Sequence, residues 1–378
     1  MSASPARAAV LSAADRAAAV AREHADEAET ARRLPAVTVA ALVDGGLTRL
    51  CLAPEYGGPG LDPMTMVEAI ERVAAGDGAA GWCAGIASTT TSMGAFLAPH
   101  VAEELFGPPE AVAGGVFAPN GTGRAVDGGV RVSGRWAWGS GTQHCRWILG
   151  GVRVDDDTFR LCFFSDVDVT FHDTWHSSGL RGTGSLDFSV DDVFVPDERT
   201  LQPGVTQPAV DTPSAAFPNF ALLAAGIAAV GLGVGRRALD ELVSMAAGKR
   251  PQFSSRTLAQ SPYAQIELAR AEAGLRAGRA FLLDELAATW DVAVVGGRVE
   301  LADRIRIRLA CVNATRAAVA AVDAAYTLAG GSSVYSSNVL QRCLRDVHVT
   351  TQHIMVAPKL DETLGKLLMG QDADTTTL

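Results

Sequence analysis

The stretch from Gly330-Gly331 through Gln341-Arg342-Cys343-Leu344-Arg345-Asp346 to Gln352-His353-Ile354 decides the fold. It sets a glycine pair, an Arg-x-x-Arg-Asp run and, seven residues past Asp346, one histidine inside a long helical region. His348 and His353 are five apart, which turns them to different faces of a helix, so they form no ligand pair. A lone histidine on a late helix serves packing as readily as chemistry, although its near-neutral imidazole suits a general acid or base. Working outward, Phe220 to Gly370 carries helical periodicity in long Ala/Leu/Arg segments, enough for a bundle of four or five helices. Gly231, Gly233 and Gly235 sit in its apolar start, where close helix contact explains them better than phosphate binding.

Upstream, Gln202 to Pro218 carries four prolines and little pattern, and reads as a linker. Between Val112 and Val195, segments such as Val130–Ser133, Ile148–Val152 and Asp187–Val190 show the alternation of strands bounded by Gly and Asp. Leu52 to Leu61 packs prolines and glycines too densely for a helix or central strand, and reads as a structured loop before a helix over Met64 to Ala75. Ala6 to Arg33 predicts one long surface-facing helix, and a second helix ends near Gly45-Gly46. The expected organisation is an N-terminal helical domain over 1–111, a middle β domain over 112–213 and a C-terminal helical bundle over 214–378: mostly α with a central β domain.

Composition narrows the function classes. With 378 residues the chain suits two or three packed domains, and 48% hydrophobic against 20% charged residues is ordinary for a globular protein. No apolar run is expected to reach the roughly 20 residues of a membrane helix. Met1-Ser2-Ala3-Ser4-Pro5 lacks the basic flank and apolar block of a leader, so a cytoplasmic location is the expectation. A net charge of −10 argues against a phosphate-tracking surface and hence against nucleic acid. Six scattered cysteines without a C-x-x-C point to reduced thiols rather than disulfides or zinc, and no metal site is expected.

Four further runs carry candidate chemistry. Gly134-Arg135-Trp136-Ala137-Trp138-Gly139-Ser140-Gly141 sets two indoles and a hydroxyl in strand text; it either packs a hairpin or presents an aromatic and a hydroxyl to a planar ligand. Phe117 to Gly129, by pattern alone, is a glycine-rich turn. Gly179-Leu180-Arg181-Gly182-Thr183-Gly184-Ser185 offers amides and hydroxyls suited to polar ligand edges, but it opens no helix, which rejects a Rossmann reading. Arg250-Pro251-Gln252-Phe253 is a basic helix end or an anion contact. His172 and His176 fall in strand-loop text and are packing or solvated residues. No P-loop or nucleophile elbow appears.

Taken together these runs resemble the acyl-CoA dehydrogenase superfamily across essentially the whole chain. The Pro-x-x-Tyr-Gly-Gly-x-Gly loop at Pro54, the Trp175–Pro196 run and the Arg342–Asp346 run each have a counterpart there. The common dehydrogenases carry a carboxylate eight residues after that Asp; here the position is Ile354, with His353 beside it. Together with Trp138 and Ser140 in place of the dehydrogenase text, this looks like the two-component flavin-dependent monooxygenase branch (group D, oxygenase component). The resemblance implies an acyl-CoA dehydrogenase-like fold with a β-barrel-like middle domain. It implies reduced flavin (FADH2 or FMNH2) and O2 as co-reactants, a separate NAD(P)H-dependent flavin reductase as transient partner, and a homotetramer. The expected activity is hydroxylation of an aromatic or heteroaromatic small molecule through a flavin hydroperoxide. It further implies His353 and Ser140 as catalytic residues, and Trp138, Ser140, Arg181, Thr183, Ser185, Arg250, Phe253, Gly330 and Gly331 as flavin-binding. Ser254 replaces a family glycine after Phe253, which leaves FAD against FMN open. Gly85 to Ser92 supplies hydroxyls where related oxygenases often carry a second histidine, which suggests a substrate other than a simple phenol. An acyl-CoA dehydrogenase with a displaced base such as Glu362, an N-oxygenase of amines or amino sugars, and a non-catalytic flavin-binding protein stay open.

Overall fold

The structure, a computed structural model, describes residues 5–155 and 158–378. Met1–Ser4, on which the expectation about a leader partly rests, lie outside the described residues. Six helices come first: α1 (Pro5–Glu23), α2 (Ala25–Ala31), α3 (Ala36–Asp44), α4 (Pro63–Gly76), α5 (Gly78–Thr91) and α6 (Pro99–Phe106). The single helix expected over Ala6 to Arg33 is therefore two, interrupted at His24. Nor is it wholly surface-facing. Ala13, Ala14, Ala17 and Ala21 are buried, and their small side chains let α1 lie so close to α4 that a Cβ on Gly76 would meet the Ala18 carbonyl oxygen at 2.2 Å. The starts of α4 and α5 are fixed by Asp62 and Asp77, whose carboxylates accept from the backbone N–H of Thr65 (2.8 Å) and Ala80 (3.0 Å).

The middle domain is one seven-stranded sheet built from β1 (Ala113–Val126), β2 (Gly129–Gly139), β3 (Trp147–Val154), β4 (Phe159–Ser165), β5 (Thr170–His172), β6 (Leu186–Pro196) and β7 (Thr200–Leu201). Its order is β5-β6-β2-β1-β3-β4-β7, with β5 and β7 at the edges. Phe117 to Gly129, glycine-rich and expected as a turn, is mostly strand: only Asp127-Gly128 turns, with Gly128 at φ 73, before β2 pairs back through Val126↔Gly129. The glycines serve a different need. Trp136 is fully buried, and a Cβ on Gly121, Gly134 or Gly150 would fall within 3 Å of its indole. Strand alternation around that ring, stacked on Phe188 at 5.1 Å, makes the domain's core.

The proline-rich connection folds one short helix, α7 (Pro213–Ala216), and leads into a bundle of five: α8 (Asn219–Ala246), α9 (Pro262–Val294), α10 (Leu301–Ala329), α11 (Val339–Thr350) and α12 (Leu360–Leu368). Against expectation, α8 is long and apolar enough to cross a membrane, at 28 residues and mean hydropathy 1.5. Its apolarity has a different cause: 83% of that window is buried, packed against α4, α5 and α10. A Cβ on Gly233 would meet the Glu71 carbonyl oxygen at 2.3 Å, so these glycines do mark close helix contact.

The middle domain docks on the bundle through an equally tight approach. Gly179 lies against α11, where a Cβ would stand 2.3 Å from the Arg345 carbonyl oxygen. Gly179→Ala therefore forces two backbones apart, and we expect a loss of roughly 1–3 kcal/mol in urea unfolding with far-UV dichroism unchanged.

Candidate functional site

The end of β2 is bent to present one aromatic and bury one hydroxyl. Pairing with β6 slips between Trp136 and Gly139, and within that irregularity Trp138 adopts φ 66, a left-handed conformation that a bulky residue rarely takes. The consequence is geometric: Trp136 points into the core, whereas Trp138 is 73% exposed with no ring partner among the described residues. Two residues on, Ser140 is buried and accepts a hydrogen bond from the indole N–H of Trp82 on α5, at 3.0 Å. Its oxygen lies 2.7 Å from Ser185 Oγ, which lies 2.7 Å from Thr183 Oγ1, and Thr183 donates to the Leu180 carbonyl at 2.8 Å. The Thr183 and Ser185 hydroxyls, expected as exposed ligands, are thus buried partners of Ser140.

His353 lies beyond the end of α11, in the turn that follows it, rather than on the helix. Half-buried, it meets the edge of Trp82 at 5.6 Å between ring centroids and 69° between planes. Its Nδ1 accepts from the Met355 backbone N–H at 3.2 Å, so the neutral ring carries its proton on Nε2. Burial, reinforced by the positive charge of Arg308, pushes its pKa down to about 4. Arg308 is itself fully buried and has no carboxylate partner among the described residues; it donates to the carbonyls of Met355 (3.1 Å) and Thr377 (2.5 Å). On the α8 side of Trp82, Gly85, Ile86, Leu223, Ile227 and Val230 line an apolar crevice packed too closely to hold a water molecule. Ile354 is 61% exposed.

The other residues singled out fall elsewhere. Arg181 turns toward the N-terminal helices, donating to the carbonyls of Glu29 (3.2 Å) and Ser177 (3.4 Å), where it ties the Gly179–Ser185 turn to α2. Arg250, Phe253, Gly330 and Gly331 form a separate group at one end of the bundle. There Lys249 bonds Ser332, Arg250 folds back on the Ser255 carbonyl at 2.5 Å, Phe253 is fully exposed at φ 62, and Gly330 ends α10 at φ 58. Among the described residues no hydrogen bond, ion pair or ring contact joins this group to Ser140 or His353. Sequence reasoning missed three participants: Trp82, whose N–H contact spans 58 positions; Arg308; and Gln143, whose buried Oε1 has no hydrogen-bond partner among the described residues and would lie 3.1 Å from a Cβ on Gly184. Nothing local in the sequence announces any of them.

The turn region fits a planar heteroaromatic ring with polar edges. Trp138 offers an exposed aromatic face, Gln143 Oε1 is a buried acceptor without a hydrogen-bond partner among the described residues, and Ser140 ends a line of buried hydroxyls. A flavin ring matches all three through its aromatic face, its pyrimidine N–H and its central nitrogen.

Similarity to known proteins points to the same class of cofactor. Residues 6–104 match the family model for the acyl-CoA dehydrogenase N-terminal domain, and residues 225–358 that for the C-terminal domain. An indole-3-acetate monooxygenase of Pseudomonas putida is 32% identical, over 86% of this chain and 85% of its own length. The flavin-dependent monooxygenase oxygenase subunit HsaA of Rhodococcus jostii is 31% identical, over 89% and 92%. The solved structure of XiaF from Streptomyces in complex with FADH2 and glycerol superposes with a TM-score of 0.91 at 26% identity, covering 97% of this chain and 96% of that one.

The His353 environment gives a pH signature. A drop from 6.5 unfolded to about 4 folded means the unfolded chain binds the proton first as pH falls. The stabilisation is complete above pH 6.5 and is lost progressively down through pH 4, up to roughly 3 kcal/mol in all. We expect the His353 ring resonances not to titrate between pH 5 and 8. The stability of His353→Gln relative to the parent should rise as pH is lowered across that window.

Proposed function

The chain belongs to the acyl-CoA dehydrogenase family, in its flavin-dependent monooxygenase branch, and from that premise we propose how its own residues carry the activity. It is the oxygenase component: it takes reduced flavin and O2 and hydroxylates an aromatic or heteroaromatic small molecule. Reduced flavin, when bound, supplies the electrons that activate dioxygen for transfer of one oxygen atom. The observation that carries the residue assignment is Trp82, which joins Ser140 by its N–H and His353 by its ring edge. Two residues far apart in sequence thereby line one site.

Ser140, backed by Ser185 and Thr183, would hold the polar edge of the ring, and Trp138 would cover its face and keep water off. His353, neutral and with its proton on Nε2, would donate a hydrogen bond there; Nδ1 is occupied by Met355 N–H, so of the general-acid and general-base roles expected the ring keeps the donor's. The substrate would lie against the apolar wall that α5 and α8 form beside Trp82. Indole-3-acetate, the substrate in the name of the Pseudomonas relative, gives the type of molecule: flat, electron-rich and largely apolar. The group at Arg250, Phe253 and Gly330 would receive the flavin tail of a neighbouring copy in a homotetramer, supported by the fully exposed Phe253. A separate reductase would deliver the flavin, and we place the protein in the cytoplasm, where its six buried free thiols stay reduced.

The dehydrogenase reading loses its base. Glu362 is exposed and held below the usual carboxylate range by Lys366, its ion-pair partner at 2.6 Å. We expect His353→Ala to cut hydroxylation, measured with a flavin reductase and an indole and phenol panel, by roughly 10²–10⁴-fold. Its affinity for reduced flavin should be unchanged, and His353→Gln, which keeps a donor, should recover part of the loss. Anaerobic bleaching of bound oxidised flavin by acyl-CoA thioesters, with His353→Ala as active as the parent, would reverse the assignment.

A further inference from the structure

Past the end of α11, the two peptide groups of one residue are each held. The Met355 N–H donates to His353 Nδ1 at 3.2 Å, and the Met355 carbonyl accepts from Arg308 Nη1 at 3.1 Å. Arg308 stands on α10, fully buried, and the same Nη1 reaches the Met355 sulfur at 3.0 Å. Its Nη2 spans to the Thr377 carbonyl at 2.5 Å and to the Phe220 carbonyl, at the start of α8, at 3.5 Å. The turn that carries His353 is thereby clamped to α10, to α8 and to the segment around Thr377. Burying a cation among carbonyls costs more desolvation than an apolar side chain filling the same space, so packing alone does not account for it. What the guanidinium adds is a rigid fork of donors and a positive field.

We propose that Arg308 is a positioning residue for the hydroxylation: by fixing Met355 it holds His353 in a single tautomer, as a neutral donor through Nε2. The Met355 N–H can only donate, so it requires a bare lone pair on Nδ1. A protonated ring would set two N–H groups against each other and would have to turn away. Burial, and then the Arg308 charge, which disfavours a second cation beside it, hold the imidazole pKa down at about 4. The other groups packed around the ring do not offset this. Trp82 on α5 is uncharged, and Cys311, next to Arg308 on α10, is a thiol pushed up to about 12 by burial. Asp346 on α11 and Asp77 at the start of α5 are engaged by the N–H groups of Leu180 and Ala80. Among the described residues nothing bonds Nε2, which leaves its hydrogen for the site. The proposal rests on the reading that His353 donates there.

The measurement pairs the ring-nitrogen resonances of His353, which distinguish its tautomers, with the pH dependence of kcat for the full chain supplied by a flavin reductase. In the parent the ring should show the Nε2–H tautomer alone. Arg308→Gln removes the charge and keeps one donor amide, and its His353 ring should titrate near the ordinary histidine value. The variant-to-parent ratio of kcat should then fall roughly 10-fold between pH 8 and about pH 5.5, where such a ring is about nine-tenths protonated. Substrate KM at pH 8 should be unchanged. Arg308→Lys, which keeps the cation, should keep the ring neutral and the ratio flat. A merely structural role would lower the melting temperature of both variants and leave the ring and the pH dependence as in the parent. That outcome overturns the proposal, and so does a ring freed in Arg308→Gln with a flat kcat ratio. A parent ring of mixed tautomers overturns it even where no variant folds. The functional reading fails separately, if His353→Ala hydroxylates as the parent does.

Discussion

One buried hydrogen bond holds the three domains in register. Asp346 on α11 accepts from the Leu180 backbone N–H at 2.6 Å, and its second oxygen faces Gly78 at the start of α5. Leu180, at φ 48, opens the turn that carries Thr183 and Ser185. Asp77 caps α5, the helix that carries Trp82. Asp346 therefore links a helix of the bundle, the serine-bearing turn of the sheet and the helix that supplies the indole. Around it, Arg342 and Arg345 both pair with Glu29 and draw in α2.

That junction is also electrostatically tense. Burial, reinforced by the Asp77 charge, pushes Asp346 up to about 7, and burial pushes Asp77 up to about 6. Carboxyls raised in this way favour the folded state most at low pH and lose that contribution as pH climbs through those values, the reverse of His353. The site thus hangs from a contact whose charge state lies at the working pH, while His353 is well removed from it.

Much of the fold was legible because its causes are local. Helical periodicity gave the bundle, and alternation with Gly/Asp punctuation gave the strands. The break at His24 escaped because an Ala-rich run has no reason of its own to stop. The turn assigned to Phe117–Gly129 failed because its glycines answer to the Trp136 ring rather than to backbone curvature. At the site, Ser140 and His353 were legible as residue types in a recognisable order. Their relation was not. Trp82, Arg308 and Gln143 act through contacts that exist only once α5, α10 and the β domain have packed, and side chains of that kind leave no spacing to read. Arg181 was placed on the ligand side by its motif, whereas its guanidinium is taken up by carbonyls of Glu29 and Ser177.

The apolar helix α8 carries an implication for how the chain comes to exist. Synthesis delivers α4 and α5 before it and α10 well after it, so for the time needed to make more than fifty residues one flank of a membrane-grade segment has no permanent neighbour. Until α10 closes over it, that flank offers a nascent chain the same surface that a lipid bilayer or a chaperone would bind. The helix that most firmly unites the finished molecule is, during its birth, the one most exposed to being captured elsewhere.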